Sequence, residues 1–367
     1  KGADVVVNAS GALQDGLRDD LKGIHEAAVS NLIEALGGSS ALLIQISAAG
    51  VGDEAPTEFF RSKARGDAAI EQSDLNWIIL RPVLVLGPQA YGGTALLRAC
   101  AAFPGFGFSI YPNATIQTIF VEDLAKAVVL AASGKLGTRF VADLAEGERS
   151  SFQELVAKTR EWLGYKPWKL TLPVPAIALR VVSRVADGLS WLGWRSPLRT
   201  NALVSLKNGI AGNPSTWLER GGAPFRPLTE TLALLPATAQ ERVFARAYLL
   251  LPISIGVLSL FWFLSGLIGL IGLSQAASLL TDAGFTKGFA RASVVAGSVA
   301  DLGLGLGVLK RAWTRWSCLG MIAVSAFYLI AATIFVPGLW GDPLGPLVKV
   351  LPSMMLALMV ALMLERR

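Results

Sequence analysis

The sequence predicts an α/β protein: a truncated Rossmann-type parallel sheet with a small additional lobe, followed by an all-α four-helix transmembrane bundle. Strand and helix patterns alternate through the first third of the chain. No charged residue occurs between Ala247 and Thr281, and three further apolar stretches follow, each about long enough to cross a roughly 30 Å hydrocarbon core. With 53% apolar residues, the chain is too hydrophobic for one ordinary soluble domain. The predicted segments are 1–145 for the sheet, 146–240 for the lobe and connection, and 247–367 for the bundle.

The sheet is predicted from short apolar runs that alternate with helical stretches. In order, these are a strand over 3–8, a helix over 20–35, a strand over 41–47, a helix over 57–72 and a strand over 76–80. This alternation indicates βαβ units and a parallel sheet. Ligands of such sheets bind at the carboxyl ends of the strands. The sequence therefore places Asn8, Ser47 and the turn Arg81–Val83 along one rim.

The lobe region begins with a helix-start pattern. Ser151 supplies a hydroxyl cap and Glu154 an acid in the first turn, and Leu163–Gly164 is a stop signal. From Leu170 to Trp194 the chain is amphipathic, with charged and aromatic residues among aliphatic positions. These residues are Arg180, Arg184, Trp191 and Trp194. Such a segment forms a lobe over the site or lies on lipid headgroups, and the sequence leaves both interpretations open.

The membrane segment is predicted to cross the bilayer four times. The predicted spans are Ala247–Leu273, Ala292–Leu309, Trp316–Val336 and Leu344–Leu364. Basic residues flank those ends of the predicted spans that lie on the same side of the membrane as the first 246 residues. They are Arg242, Arg246, Lys310, Arg311, Arg315, Arg366 and Arg367. The positive-inside rule then predicts a multi-pass protein of a bacterial-type inner (plasma) membrane, with the N-terminal domain and the C-terminus in the cytoplasm.

Asp301 lies near the middle of the second span, where an isolated carboxylate is costly and usually faces the bundle interior. Lys349 enters the fourth span from the opposite end. The pair is interpreted either as a structural ion pair or as a proton or quinone-headgroup site. Glycines are predicted to let the helix backbones approach closely in a compact bundle. They are Gly266, Gly269, Gly272, Gly303, Gly305 and Gly307.

Composition excludes several function classes. The chain has one histidine, His25, so it offers neither a His-based metal cluster nor a Ser-His-Asp relay, and no metal site is predicted. We expect His25 at the surface or in helix packing. The net charge is +6, and residues 248–367 carry +4 of it. The charge of about +2 on the preceding residues does not indicate nucleic-acid binding. Cys100 and Cys318 lie in different halves, so a structural disulfide is not expected.

Five short segments occur in an order that resembles one family. They are Asn8-Ala9-Ser10-Gly11, Ile46-Ser47-Ala48-Ala49-Gly50, Phe59-Phe60-Arg61-Ser62-Lys63, Leu80-Arg81-Pro82-Val83-Leu84-Val85-Leu86-Gly87-Pro88 and Val121-Glu122-Asp123-Leu124-Ala125. Together they resemble the extended and atypical short-chain dehydrogenases/reductases, the branch of the NAD-dependent epimerases/dehydratases. The resemblance implies a Rossmann domain that binds NAD or NADP, with the residues 146–240 forming a substrate-covering lobe.

The resemblance also implies site residues. Ser47 and Lys63 match catalytic positions, and the expected cofactor contacts are Asn8, Ala9, Gly11, Ser47, Lys63, Pro82 and Val83. The Gly-rich turn that binds the dinucleotide pyrophosphate is absent from this chain, which begins at Lys1 within a strand-like run; we therefore expect a longer natural protein.

One position departs from the family pattern. The proton-donating Tyr, four residues before Lys63, is Phe59 here, so the Tyr–Lys proton relay is broken. Tyr91 and Tyr111 are candidate substitutes. Arg81 is expected to anchor the strand end, and Asp123 to cap or pair locally.

The C-terminal segment resembles a second family. Asp301-Leu302-Gly303-Leu304-Gly305, Tyr328-Leu329-Ile330 and the run from Pro337 to Pro346, followed by Lys349, are similar to DoxX-like membrane proteins. Two hypotheses follow for the whole chain. The first is a membrane-anchored NAD(P)-binding oxidoreductase or epimerase-like enzyme that acts on a quinone, isoprenoid or lipid-linked substrate at the bilayer. The second is a non-catalytic dinucleotide-binding redox sensor or scaffold of a membrane complex.

Overall fold

The computed structural model describes residues 2–16, 20–343 and 345–364. It divides into two compact units, the first formed by Lys1–Trp191 and Arg195–Arg246 and the second by Leu192–Trp194 and Ala247–Arg367. Three residues used for the sequence predictions lie outside the described residues. They are Leu344, at the predicted start of the fourth span, and Arg366 and Arg367, used for orientation.

Among the residues that the structure describes, the first unit contains ten short strands. They are β1 (Val5–Asn8), β2 (Leu42–Ile46), β3 (Asn76–Pro82), β4 (Leu84–Leu86), β5 (Gly107–Ser109), β6 (Thr115–Ile116), β7 (Thr118–Phe120), β8 (Phe140–Leu144), β9 (Ser150–Ser151) and β10 (Thr171–Pro173). Four of them form a parallel sheet in the order β1-β2-β3-β8. The predicted Rossmann-type parallel sheet is therefore confirmed.

Helices cover both faces of this sheet. Those before the membrane segment are α1 (Ala28–Leu36), α2 (Glu58–Glu71), α3 (Gly93–Ala102), α4 (Val121–Ala132), α5 (Phe152–Trp162), α6 (Ala176–Trp191), α7 (Thr200–Asn208), α8 (Ser215–Glu219) and α9 (Leu228–Leu234). On one face, Leu43 and Ile79 pack with Ile70 of α2. On the other, Ile44 packs with Ala127 of α4. Strands buried on both faces consist of nearly continuous apolar residues, which is why these runs were recognisable in the sequence.

Local signals set several helix boundaries. The Ser151 hydroxyl accepts from the Glu154 backbone N–H at 3.1 Å, and the Glu154 carboxylate accepts from the Ser151 N–H at 2.7 Å, so α5 begins with the predicted capping box. Gly164, with φ of +79°, follows the end of this helix. A five-residue π-helix, Gly23–Ala27, precedes α1 and was not predicted.

The second unit is helical. Its helices are α10 (Ala239–Ile271, which begins in the first unit), α11 (Leu273–Asp282), α12 (Lys287–Gly307), α13 (Thr314–Phe335) and α14 (Val350–Met363), with a short 3₁₀ turn at Pro337–Gly341. Among the described residues, α10, α12 and α13 are long and apolar enough to cross a membrane, and α14 is a shorter apolar helix.

The predicted fourth span is thus too long at its start. Pro343 and Pro346 lack a backbone N–H and disfavour helical conformation in the residue before each, so the helix begins only at Val350. The amphipathic helix α11 was also missed, because the prediction ended the first span at Leu273 and assigned no element after it.

Close helix packing in this unit depends on glycine. A Cβ placed on Gly266 would lie 2.5 Å from the Ser298 carbonyl oxygen, and one on Gly305 would lie 2.8 Å from the Phe263 nitrogen. The backbones of α10 and α12 therefore approach too closely for a larger residue. Gly303, in contrast, has open space beside it, so its predicted role in close packing is wrong.

Candidate functional site

The carboxyl ends of the strands β1, β2 and β3 form one edge of the sheet, as predicted. Asn8 pairs with Gln45 in the parallel register, and its side-chain amide donates to the Gln45 amide oxygen at 2.8 Å. The Ser47 N–H donates to the Leu80 carbonyl at 2.8 Å. The loop after β1 and the turn after β2 therefore start beside each other, at the edge where parallel sheets bind ligands.

Lys63 reaches this edge from α2. Its side chain is 5% exposed, and its ammonium donates to the Ile46 carbonyl oxygen at 3.2 Å. Nζ also lies 3.7 Å from the position that a Cβ on Gly11 would take, in the loop after β1. Burial lowers the pKa of Lys63, an effect that nearby Asp67 opposes. An ammonium has three N–H donors, so Lys63 can donate to a ligand at this loop in addition to the Ile46 carbonyl.

His25 is buried beside the same loop, so of the two expected placements, at the surface or in helix packing, the structure shows the second. Its Nε2 accepts from the Ala12 backbone N–H at 3.2 Å, and its Nδ1 lies 2.8 Å from the Ser62 hydroxyl. Since Nε2 is an acceptor, the neutral ring carries its proton on Nδ1. Burial, and then the charge of Lys63, lower the pKa of His25 to about 4. The imidazole therefore remains neutral at pH 7.

Gly66 makes the position of His25 possible. A Cβ on Gly66 would lie 2.2 Å from the His25 carbonyl oxygen, so only glycine allows α2 to approach the π-helix this closely. Single π-helical turns occur preferentially at functional sites. The sequence contains one signal for the contact between His25 and α2, namely Gly66, three residues after Lys63. The prediction did not use it.

Phe59, which was expected at the position of a proton-donating Tyr, lies beside His25 and Lys63. Its ring stands edge-to-face with the His25 ring at a centroid distance of 5.7 Å, and the Lys63 Nζ is 5.9 Å from its centroid. An aromatic ring is therefore present at the expected place beside the lysine, without a hydroxyl group.

Ser47 is buried and its hydroxyl donates to the Asp67 carboxylate at 2.7 Å. Arg81 donates to the same Asp67 oxygen through Nε at 3.2 Å and Nη2 at 2.9 Å. Burial raises the pKa of Asp67, while the hydrogen bond from Ser47 and the charge of Arg81 act in the opposite direction. This arrangement agrees with the anchoring role expected for Arg81. The predicted contact of Ser47 with a substrate oxygen stays a prediction.

The remaining predicted cofactor residues lie on the same edge. Ala9 and Gly11 are exposed in the loop after β1, whereas Pro82 and Val83 are buried at the end of β3. The Val83 N–H donates to the Leu144 carbonyl at 3.2 Å, which extends the edge to β8. The structure thus places all seven predicted residues along the carboxyl edge, and their contact with a dinucleotide stays a prediction.

The other three candidate residues are placed as follows. Tyr91 is exposed in the turn before α3, and Tyr111 adopts a left-handed conformation, with φ of +43°, between β5 and β6. Asp123 forms ion pairs with Lys126 at 3.9 Å and with Arg226 at 3.0 Å. The Asp123 pairing is thus only partly local, because Arg226 is far along the chain.

The loop after β1 is tied to the lobe region. The Gln14 amide donates to Asp187 of α6 at 3.1 Å, and Arg199, which precedes α7, donates to the Asp15 carbonyl at 2.6 Å. Asp187 also accepts from the Thr200 N–H at 3.2 Å. Helices α6 and α7 therefore pack beside the loop that bears Gly11, as a lobe covering the site requires.

In the second unit, Asp301 is buried and accepts from the Ser265 hydroxyl at 2.9 Å and from the Tyr328 hydroxyl at 3.4 Å. Lys349 is exposed, and among the described residues the side chains that hydrogen-bond Asp301 are Ser265 and Tyr328 rather than Lys349. The partners of Asp301 are hydroxyl groups of α10 and α13.

Comparisons with known proteins match the two parts separately. Residues 259–358 match the model of the DoxX-like family. A curated protein, the ceramide reductase of Caulobacter vibrioides, is 23% identical over 178 residues, which are 48% of this chain and 56% of that protein. The chain thus spans little more than half the length of this curated relative.

Solved structures of similar fold include three that contain NAD or NADPH. MoeE5 with UDP-glucose and NAD is 17% identical, with 67% of this chain and 80% of that chain covered and a TM-score of 0.47. RMD of Pseudomonas aeruginosa with NADPH is 14% identical, with 67% and 81% covered and a TM-score of 0.46. The UDP-glucose 4-epimerase of Thermus thermophilus with NAD is 17% identical, with 66% and 78% covered and a TM-score of 0.45. The parallel sheet of the first unit and the match of residues 259–358 to the DoxX-like family agree with the expected combination of a Rossmann-type domain and a DoxX-like region.

Proposed function

We propose that the protein is a membrane-bound NAD(P)H-dependent reductase that acts on a carbonyl group of a membrane-associated substrate, such as a quinone, an isoprenoid or a lipid-linked compound. The observation that carries the proposal is the buried Lys63 ammonium, which stands beside Gly11 at the carboxyl edge of a parallel sheet. The curated relative, named a ceramide reductase, supports reduction of a lipid. The membrane helices support a substrate that resides in the bilayer.

The residues at the edge fit a nicotinamide dinucleotide. Lys63 would donate to the hydroxyls of the nicotinamide ribose, and the exposed loop Asn8–Gly11 would pass along the cofactor. When bound, the reduced nicotinamide would supply a hydride to the substrate. With one proton for the oxygen, a ketone would become an alcohol and a quinone would become a hydroquinone.

Lys63 is the proposed donor of that proton. Two ionisable groups flank the Phe59 ring, the Lys63 ammonium and the His25 imidazole. The His25 Nδ1 faces Ser62 and its Nε2 accepts from Ala12, so both of its nitrogens are engaged. The ammonium has protons to give, and its lowered pKa favours their release. Water then returns the proton to Lys63.

The test measures cofactor binding and turnover by the full-length protein in lipid nanodiscs. NADH and NADPH are titrated by calorimetry into the wild type, into Lys63→Met and into the surface control Lys126→Ala. Met preserves most of the volume of the lysine while it removes the charge. We expect affinity to fall about tenfold or more in Lys63→Met alone, as for loss of charge-assisted hydrogen bonds. Loss of NADH absorbance with quinones and lipid ketones then measures reduction.

The competing function is a dinucleotide-binding redox sensor or scaffold, which the missing hydroxyl at Phe59 favours. It predicts cofactor binding without consumption of NADH or NADPH by any carbonyl substrate. Absence of binding by the wild type would refute both functions.

We also propose that the N-terminal unit lies in the cytoplasm of a bacterial-type inner membrane. Lys310 and Arg311 follow the end of α12, and Arg315 lies in the first turn of α13, so three basic residues collect between two spanning helices. A reporter enzyme that is active only in the cytoplasm, fused after the last residue, is expected to be active. A fusion in the loop between α11 and α12 is expected to be inactive.

A further inference from the structure

Helix α6, residues Ala176–Trp191, has one buried face and one exposed apolar face. One face is buried and carries small and aliphatic residues at helical spacing: Leu179, Ser183, Ala186 and Ser190. The opposite face exposes Ile177, Val181 and Val185, which are spaced four residues apart and are 59%, 55% and 57% exposed. Residues at this spacing form a continuous stripe along a helix. A stripe of three exposed branched aliphatic residues is unusual for a surface in water.

Basic residues border this apolar stripe. Arg180 and Arg184 are exposed and lie three residues after Ile177 and Val181 respectively, so they stand beside the stripe on the helix surface. Trp191, the last residue of the helix, is 76% exposed. Aliphatic residues flanked by arginine and ended by tryptophan are the composition of helices that lie in the interface of a bilayer.

The chain that follows α6 belongs to the membrane unit. The Leu192 carbonyl accepts from the Arg311 N–H at 2.9 Å, and the Trp194 indole donates to the Leu309 carbonyl at 2.6 Å. Leu309 comes two residues after the end of the spanning helix α12. The end of a spanning helix marks the boundary between hydrocarbon and water. Trp191 is covalently joined to a residue held at that boundary.

We propose that α6 lies in the headgroup layer of the membrane, with Ile177, Val181 and Val185 against the acyl chains and Arg180 and Arg184 on the phosphates of anionic lipids. The occupant of this face is the lipid surface itself. Three features point to it: the apolar stripe, the positive charge beside the stripe, and the connection to the end of α12. The proposal holds whether or not the first unit is a reductase, because it uses no residue of the cofactor edge.

The contact would also place the bilayer at the lobe. The buried face of α6 packs within the first unit, where Asp187 accepts from Gln14 in the loop after β1. One helix would thus contact lipid on one side and the loop of the candidate site on the other. If the proposed reductase function holds, a lipid substrate reaches the site along α6.

The experiment measures whether the exposed face of α6 is in contact with lipid or with water. Single cysteines are introduced at Val181 and Val185 in a Cys100→Ser, Cys318→Ala background of the full-length protein, and labelled with an environment-sensitive fluorophore. The matched control is Val129→Cys on α4, where the native valine is 70% exposed. Each protein is reconstituted at one molecule per nanodisc. Circular dichroism and thermal unfolding confirm that each variant folds as the wild type does.

We expect quenching by lipids spin-labelled near the headgroup to be about threefold stronger at positions 181 and 185 than at position 129, with iodide quenching in the opposite order. Replacement of phosphatidylglycerol by phosphatidylcholine, or the double change Arg180→Gln with Arg184→Gln, is expected to weaken the lipid quenching. Equal lipid quenching at all three positions would overturn the proposal. Protection from both quenchers that appears only with two molecules per nanodisc would also overturn it, since a second copy would then cover the face.

Discussion

Nδ1 of His25 lies 2.8 Å from the hydroxyl of Ser62, the residue immediately before Lys63. The other ring nitrogen accepts from the Ala12 N–H at 3.2 Å, in the loop that begins after β1. One imidazole therefore joins the loop that carries Gly11 to the helix that carries Lys63. The spacing of these two elements, across which the proposed cofactor contact is made, therefore depends on His25.

The pKa of His25 predicts how stability changes with pH. Burial lowers this pKa from 6.5 to about 4, so between these values the unfolded chain binds more protons than the folded one. The His25 contribution is complete above pH 6.5 and decreases as the pH falls toward 4, by up to about 3 kcal/mol in total. Thermal unfolding in nanodiscs should therefore show a fall in Tm between pH 7 and pH 5. His25→Gln, which does not titrate, should flatten this dependence; an unchanged profile in that variant would contradict the assignment.

Gly66→Ala is expected to destabilise the first unit. The added Cβ would lie 2.2 Å from the His25 carbonyl oxygen, and a backbone atom in packed helices cannot move away cheaply. We expect a cost of about 2 kcal/mol or more in the free energy of unfolding, together with weaker NADH binding. Gly188→Ala in α6 is the control, since a Cβ there meets no atom within 4 Å. Equal effects of the two changes would show that α2 and the π-helix do not pack too closely at Gly66 for a Cβ.

Removal of Arg81 should cost more than removal of a surface arginine. Arg81→Met leaves the Asp67 carboxylate, which is 1% exposed, without its cationic partner. Breaking such a buried pair typically costs about 3–5 kcal/mol. Arg61→Met is the control, because the Arg61–Glu58 pair is exposed and such pairs contribute about 1 kcal/mol or less. Urea or thermal unfolding of both variants measures the difference, and a cost below about 1 kcal/mol for Arg81→Met would contradict this account.

Gly266→Ala tests the packing of the membrane helices. Its Cβ would lie 2.5 Å from the Ser298 carbonyl oxygen of α12, so the two helices must separate. We expect a loss of about 1–3 kcal/mol, seen as a lower Tm in detergent. Gly303→Ala, also in a spanning helix, meets open space and should change the Tm little. A similar fall in both variants would instead indicate a general effect of alanine on the bundle.

The parallel sheet and its ligand edge were predictable because they depend on local patterns. Buried parallel strands are apolar on both faces, and their carboxyl ends fall at one edge by topology, so Asn8, Ser47 and Val83 could be placed together without coordinates. The spanning helices were predictable for a similar reason, since length and hydropathy alone identify them.

The internal geometry of the site was not predictable. His25 lies 37 residues before Ser62 in sequence, and Ser47 lies 20 before Asp67. Hydrogen bonds between residues this far apart follow from the packing of α2 against the sheet, which no local pattern encodes. The prediction for His25 left surface and helix packing open, because a lone histidine in a helix carries no local pattern that separates them.

The bond between the Trp194 indole and the Leu309 carbonyl has a consequence for how the chain is synthesised. These residues are 115 positions apart, and the membrane unit needs both. At ordinary rates of translation, on the order of ten seconds pass between them. During that time the segment after α6 has been made and waits without its partner. A chain that ends before Leu309 would thus lack the carbonyl that accepts from the Trp194 indole, and the segment after α6 would lose this tie to the end of α12.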